Sequence, residues 1–80
     1  STVISYSLLN NSYVVLKVYD ILGKEITTLV NAYQMQGTYE VSLNMNNLNI
    51  SSGTYIYSIT VSDNSKRNIF RENKIMSYIK

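Results

Sequence analysis

The sequence predicts an all-β domain: a small antiparallel β-sandwich of six to seven strands. Three observations predict it. Valine, isoleucine and threonine make up 22 of the 80 residues, and β-branched side chains suit a pleated, half-buried surface. Apolar and polar residues alternate with period two along stretch after stretch, while no segment keeps the 3.6-residue period of an amphipathic helix. Turn-forming residues separate these stretches at intervals of about 8–12 residues, as in small sandwiches.

The first strand is STVISYSL, with Ile4, Tyr6 and Leu8 on one face and Val3, Ser5 and Ser7 on the other. Asn10-Asn11-Ser12 ends it as a turn, because short amide and hydroxyl side chains bond their own backbone. The second strand runs from Tyr13 to Tyr19 and points Val14, Leu16 and Val18 inward. Asp20-Ile21-Leu22-Gly23 then reads as a type I turn, with Asp first and Gly fourth, closing a hairpin. The third strand, Lys24–Val30, alternates poorly, which predicts a bulge or a change of face. Residues 31–36 read as a polar connection. Gly37 opens the fourth strand, where Tyr39, Val41, Leu43 and Met45 alternate with polar residues. Residues 46–53 form a loop, and Leu48 within it plugs one end of the core. The fifth strand, Thr54–Val61, keeps Tyr55, Tyr57, Ile59 and Val61 in phase, with Ile56 alone opposite. Residues 62–68 form another turn, and the last strand lies within Ile69–Ile79. Its phase is open, since Met76 and Tyr78 share one face and Ile75 and Ile79 the other. Strands with one apolar face and short turns close most economically as two packed sheets, an Ig-like arrangement. At 80 residues the chain is shorter than the about 100 of a typical Ig-like domain.

Composition excludes several function classes. The chain has no histidine and no cysteine, so histidine-based acid–base chemistry, Cys–His or Ser–His nucleophiles, disulfides and Cys/His metal sites are absent. The five acidic residues are scattered, and the asparagine-rich stretch Asn44–Asn49 holds no carboxylate, which argues against calcium. Asp20 reads as a turn cap, and Gly23, Gly37 and Gly53 are too far apart for a phosphate loop, so they read as turn and strand-opening residues. The chain is read as non-enzymatic, without a cofactor and without a nucleic-acid partner. Eight tyrosines stand beside a single phenylalanine. They fit the cover of a small core, and Tyr13 and Tyr33 are the alternatives for a stacking surface. The net charge of +2 divides into −2 over residues 1–65 and +4 over residues 66–80. No apolar run approaches the ~20 residues of a membrane helix.

Five pieces of the sequence, in order, resemble one family. They are STVISYSL, VVLKVYDILGKEITTLV, GTYEVSL, LNISSGTYIYSI and KIMSYIK. The chain resembles the type A C-terminal sorting domain of type IX (Por) secretion substrates, which is related in fold to the Ig-like domain of the flagellar hook-capping protein. The most specific pieces are Val18-Tyr19-Asp20 with Leu22-Gly23, Ser52-Gly53 with Tyr55 and Tyr57, and the ending around Met76. The family's Asn-Pro-rich stretch before the Ser1-Thr2 pair is missing. The resemblance therefore implies a domain trimmed at Ser1 and ending naturally at Lys80, a piece of a longer protein.

The resemblance implies a transport address. Outer-membrane secretion machinery would recognise the domain and carry a larger cargo to the exterior or the cell surface of a Gram-negative bacterium. A sortase-like protease would remove the domain, and the cargo would be attached to anionic lipopolysaccharide. The expected recognition element is the basic last strand, through Arg71, Lys74, Ile75, Met76, Tyr78, Ile79 and Lys80, with ordinary core packing as the alternative for the same residues. Asp20, Gly23 and Gly53 are the expected structural turn residues. A second function class is a structural Ig-like module, a stalk, spacer or fibre subunit whose strands pair with neighbouring copies. A carbohydrate-binding module using exposed tyrosines is the third.

Overall fold

The computed structural model describes residues 2–63 and 68–79. Six strands follow in order: β1 (Thr2–Leu8), β2 (Ser12–Asp20), β3 (Glu25–Gln34), β4 (Gly37–Leu43), β5 (Gly53–Ser62) and β6 (Asn68–Tyr78). A 3-10 turn, Met45–Leu48, lies between β4 and β5. Every pairing is antiparallel, in a four-stranded sheet ordered β3-β2-β5-β6 and a two-stranded sheet β1-β4. The domain is thus the all-β two-sheet sandwich that the period-two pattern predicts. Its pairing follows the C′-C-F-G and B-E order of an immunoglobulin-type Greek key.

The central strand β2 carries the strongest alternation and the deepest residues. Val14, Leu16 and Val18 are fully buried, because β2 has β3 and β5 on its two sides and the small sheet over its inner face. Ile4, Leu8 and Leu43 meet them from the small sheet, and Tyr55, Ile59 and Val61 come from β5. Met45 and Leu48 of the 3-10 turn close one end, so the expected plug is a pair with Met45 the deeper member. Five of the eight tyrosines, Tyr6, Tyr39, Tyr55, Tyr57 and Tyr78, belong to this core or pack against it, and Tyr6 stacks on its cross-strand partner Tyr39 at 5.4 Å. The Tyr6 hydroxyl donates to Gln34 Oε1 at 2.5 Å, tying β1 to the end of β3. Burial raises the Tyr6 phenol above its ordinary value of 10.0.

Two expectations about β3 separate. The irregular alternation does produce bulges: the register against β2 shifts between Leu16 and Lys17 and again between Val18 and Tyr19. The expected polar connection at 31–36, however, is mostly strand, since β3 continues to Gln34 and pairs it with Ser12. Composition alone favoured a loop there; the long pairing with β2 overrides it. Met45 likewise leaves the fourth strand, which ends at Leu43. Asn44 Oδ1 accepts the Asn46 N–H and starts the 3-10 turn, and Asn49 ends it in the left-handed region at φ 52°. Ser12 begins β2 rather than closing the preceding turn, and is buried with its hydroxyl donating to the Asn10 carbonyl at 2.8 Å. The turn expected at 62–68 falls largely on residues 64–67, which lie outside the described residues.

Candidate functional site

The last strand is built as an edge. β6 pairs only with β5, from Gly53↔Tyr78 to Val61↔Phe70, with one shift before Ser62↔Asn68. That register settles the phase that the sequence left open. Tyr55, Ile59 and Val61 face the core, so their partners Met76, Glu72 and Phe70 lie on the inner side, with Lys74 and Tyr78 in phase with them. Arg71, Asn73, Ile75 and Ser77 lie on the outer side of the sheet.

Only the far end of the inner side is packed. Met76 and Tyr78 rest half-buried on the core, and the Tyr78 hydroxyl donates to Asn46 Oδ1 in the 3-10 turn. Phe70, Glu72 and Lys74 instead line an open groove of about 210 Å³. Its other wall is β1 from Ile4 to Leu8, and its floor is Tyr57, Ile59 and Val61. On the outer side Ile75 is 74% exposed, and Ile79 beyond the strand is 87% exposed. The expected recognition residues therefore divide three ways. Met76 and Tyr78 hold the strand to the core; Lys74 faces the groove; Arg71, Ile75 and Ile79 are presented to solvent. Lys80 lies outside the described residues. Asn46, which fixes Tyr78, and Phe70 and Glu72, which wall the groove with Lys74, were not singled out by the sequence. Only the asparagine-rich composition of the loop hinted at Asn46.

The turn residues sit together at one end of β2. Asp20 Oδ1 accepts the Leu22 N–H at 3.0 Å and the Lys24 N–H at 2.8 Å, while its carbonyl accepts the Gly23 N–H at 3.0 Å. Gly23 has φ +90°, a conformation that a side chain would strain. Gly53 is the first residue of β5 and has no such φ. Beside the turn, Lys17 Nζ meets Glu25 Oε1 at 2.9 Å. That contact raises the Lys17 ammonium and lowers the Glu25 carboxyl, which also accepts from Thr28.

The fold is an all-β two-sheet sandwich whose edge strand β6 carries Arg71 and Lys74. The sequence matches the family described as secretion system C-terminal sorting domain over residues 2–71, and the chain belongs to that family. No curated protein and no solved structure matches it. Membership makes the domain a type IX sorting signal of a secreted or cell-surface protein and a partner of the secretion machinery. The matched span ends within β6, so Lys74 to Ile79 lie beyond it.

Proposed function

We propose that this domain directs a larger cargo protein across the outer membrane of a Gram-negative bacterium by the type IX route, and that β6 is the strand the machinery reads. The observation that carries this reading is the edge position of β6. Among the described residues no strand pairs with its free edge, and Arg71, Ile75 and Ile79 stand exposed on or just beyond its outer side. Strand addition at such an edge draws affinity from main-chain hydrogen bonds and specificity from alternate side chains. The domain acts as ligand and substrate, not as catalyst. A sortase-like protease that removes it, and anionic lipopolysaccharide that receives the cargo, complete the route that the family resemblance implies.

The test is a reporter fused ahead of these residues in a host with the type IX system. The wild-type fusion is expected outside the cell, and Ile75→Ser with Ile79→Ser is expected to hold the reporter in the periplasm without loss of fold. Export unaffected by that double substitution would overturn the role given to β6.

A second reading, a structural module pairing with neighbouring copies, is favoured by one feature of β1. Natural edge strands are blunted by charges, proline or bulges. β1 has none of these, and its register with β4 is unbroken from Thr2 to Leu8. Concentration-dependent dimers, abolished by Ser5→Lys, would support that reading.

A further inference from the structure

The outer face of the four-stranded sheet is furrowed, and its rows can be read from the register. Across β2, β5 and β6, Val15 neighbours Thr60, which neighbours Arg71; Lys17 neighbours Ser58, which neighbours Asn73. At one end Tyr13 stands between Tyr33 and Ser62; at the other, Tyr19 stands beside Ile56. On the middle strand β5, Ser58, Thr60 and Ser62 offer short hydroxyl side chains and Ile56 closes the Tyr19 end, between the longer Tyr13, Lys17 and Tyr19 of β2 and Arg71 and Asn73 of β6. The result is a trough along β5. Two shallow hollows of about 260 and 270 Å³ share Tyr19, Ser58 and Arg71 as lining. Ser58 lies so deep between the walls that it is 6% exposed although it belongs to an outer face.

We propose that this trough binds an acidic oligosaccharide lying along β5. Hydroxyl groups on the floor can both donate and accept, as sugar hydroxyls do. Phenol rings on the wall offer an apolar face to the C–H face of a pyranose ring and a polar edge to its substituents. Among the described residues Arg71 forms no ion pair, whereas Lys17 is neutralised by Glu25 at 2.9 Å. One free guanidinium at the centre of the trough suits a carboxylate, which it can hold through two parallel hydrogen bonds. From the Tyr13 row to the Tyr19 row the furrow is roughly 20 Å long, the rise of six strand residues, enough for about four sugar rings. Ser58, Thr60 and Ser62 keep the floor polar everywhere except at Ile56, which disfavours a continuous apolar protein surface. A nucleic-acid strand would need a row of cations along its phosphates, and among the described residues of the trough only Arg71 is an unpaired cation.

The test is an amide-resolved NMR titration of the 80-residue chain with tetragalacturonate, cellotetraose and tetrathymidylate as probes. Tetragalacturonate is expected to shift the amides of Ser58, Thr60, Ser62 and Arg71 saturably. Cellotetraose is expected to bind at least about tenfold more weakly, and Arg71→Gln to weaken the acidic probe by a similar factor. Tyr19→Phe keeps the ring and should keep the binding, while Tyr19→Ser should lose it with the amide spectrum still dispersed. Four results would each overturn the proposal: no saturable shift by about 10 mM, equal binding of the neutral probe, an indifferent Arg71→Gln variant, or tetrathymidylate binding as tightly. The titration needs no secretion machinery, so its outcome is separate from that of the reporter assay.

Discussion

At the scale of single residues, Asp20 and Tyr6 show how a small domain uses its polar groups. Asp20 accepts two backbone N–H groups in the β2–β3 turn. Asp20→Ala leaves both without that partner and should cost about 1 kcal/mol, read as a lower urea midpoint at unchanged slope. Asp20→Asn keeps an acceptor oxygen and should recover most of the loss. Tyr6 gives a pH dependence. Its phenol is raised by burial, so the fold favours the neutral form. That contribution is complete below the unfolded value of about 10 and disappears as pH rises through the higher folded value. Stability should therefore fall on the alkaline side, and Tyr6→Phe should flatten that fall in urea melts taken from about pH 8 to pH 11. Glu25 acts in the opposite direction: its lowered carboxyl favours the fold above the unfolded value and loses that effect on acidification. Because the Lys17–Glu25 pair is solvent-exposed, the change should be slight.

At the scale of elements, β6 separates the residues that hold the strand from those free to be read. Met76 packs half-buried on the core, so Met76→Ala should lower stability by about 1–3 kcal/mol. Ile75 is exposed on the outer side, so Ile75→Ser should stay within about 0.5 kcal/mol of wild type. Thermal melts of the two variants check this; equal losses would show that β6 is packed on both faces. The same strand shows the limit of reading from sequence. Isoleucine, methionine and tyrosine on both faces gave no phase by alternation, and only the partner Tyr55, whose own phase is plain, decides that Met76 turns inward. The strong alternation of β2 and β5 made both strands legible, and the Asp-x-x-Gly pattern located the hairpin. The end of β3 was not legible, because Asn31-Ala32-Tyr33-Gln34 is strand through its pairing with β2 rather than through its composition. The basic final segment drew attention to β6, but the groove beside that strand is formed with β1 and β5, which meet β6 only in the folded molecule. The trough on the outer face was hidden for the same reason. Its small residues and its long ones lie on three different strands.

At the scale of the whole molecule, the two sheets share one core, so neither is stable alone. A two-stranded sheet is marginal in water, and β1-β4 depends on the larger sheet to cover Ile4, Leu8 and Leu43. Leu16→Ala, at the centre of both, should cost about 2–5 kcal/mol. Far-ultraviolet and tyrosine near-ultraviolet circular dichroism should fall in one shared transition; two separate ones would mean the sheets unfold independently. The interleaved order of strands has a consequence for the order of folding. Suppose structure forms from residue 2 onward. The β2–β3 hairpin can close early, but β1 must wait for β4, since Leu8 meets Gly37 and Thr2 meets Leu43. The four-stranded sheet must wait longer, since Tyr13 meets Ser62. Until β5 is in place, the preceding strands have no finished core, because Tyr55, Ile59 and Val61 are missing from it. The arrival of β5 therefore closes both sheets over one core in a single step.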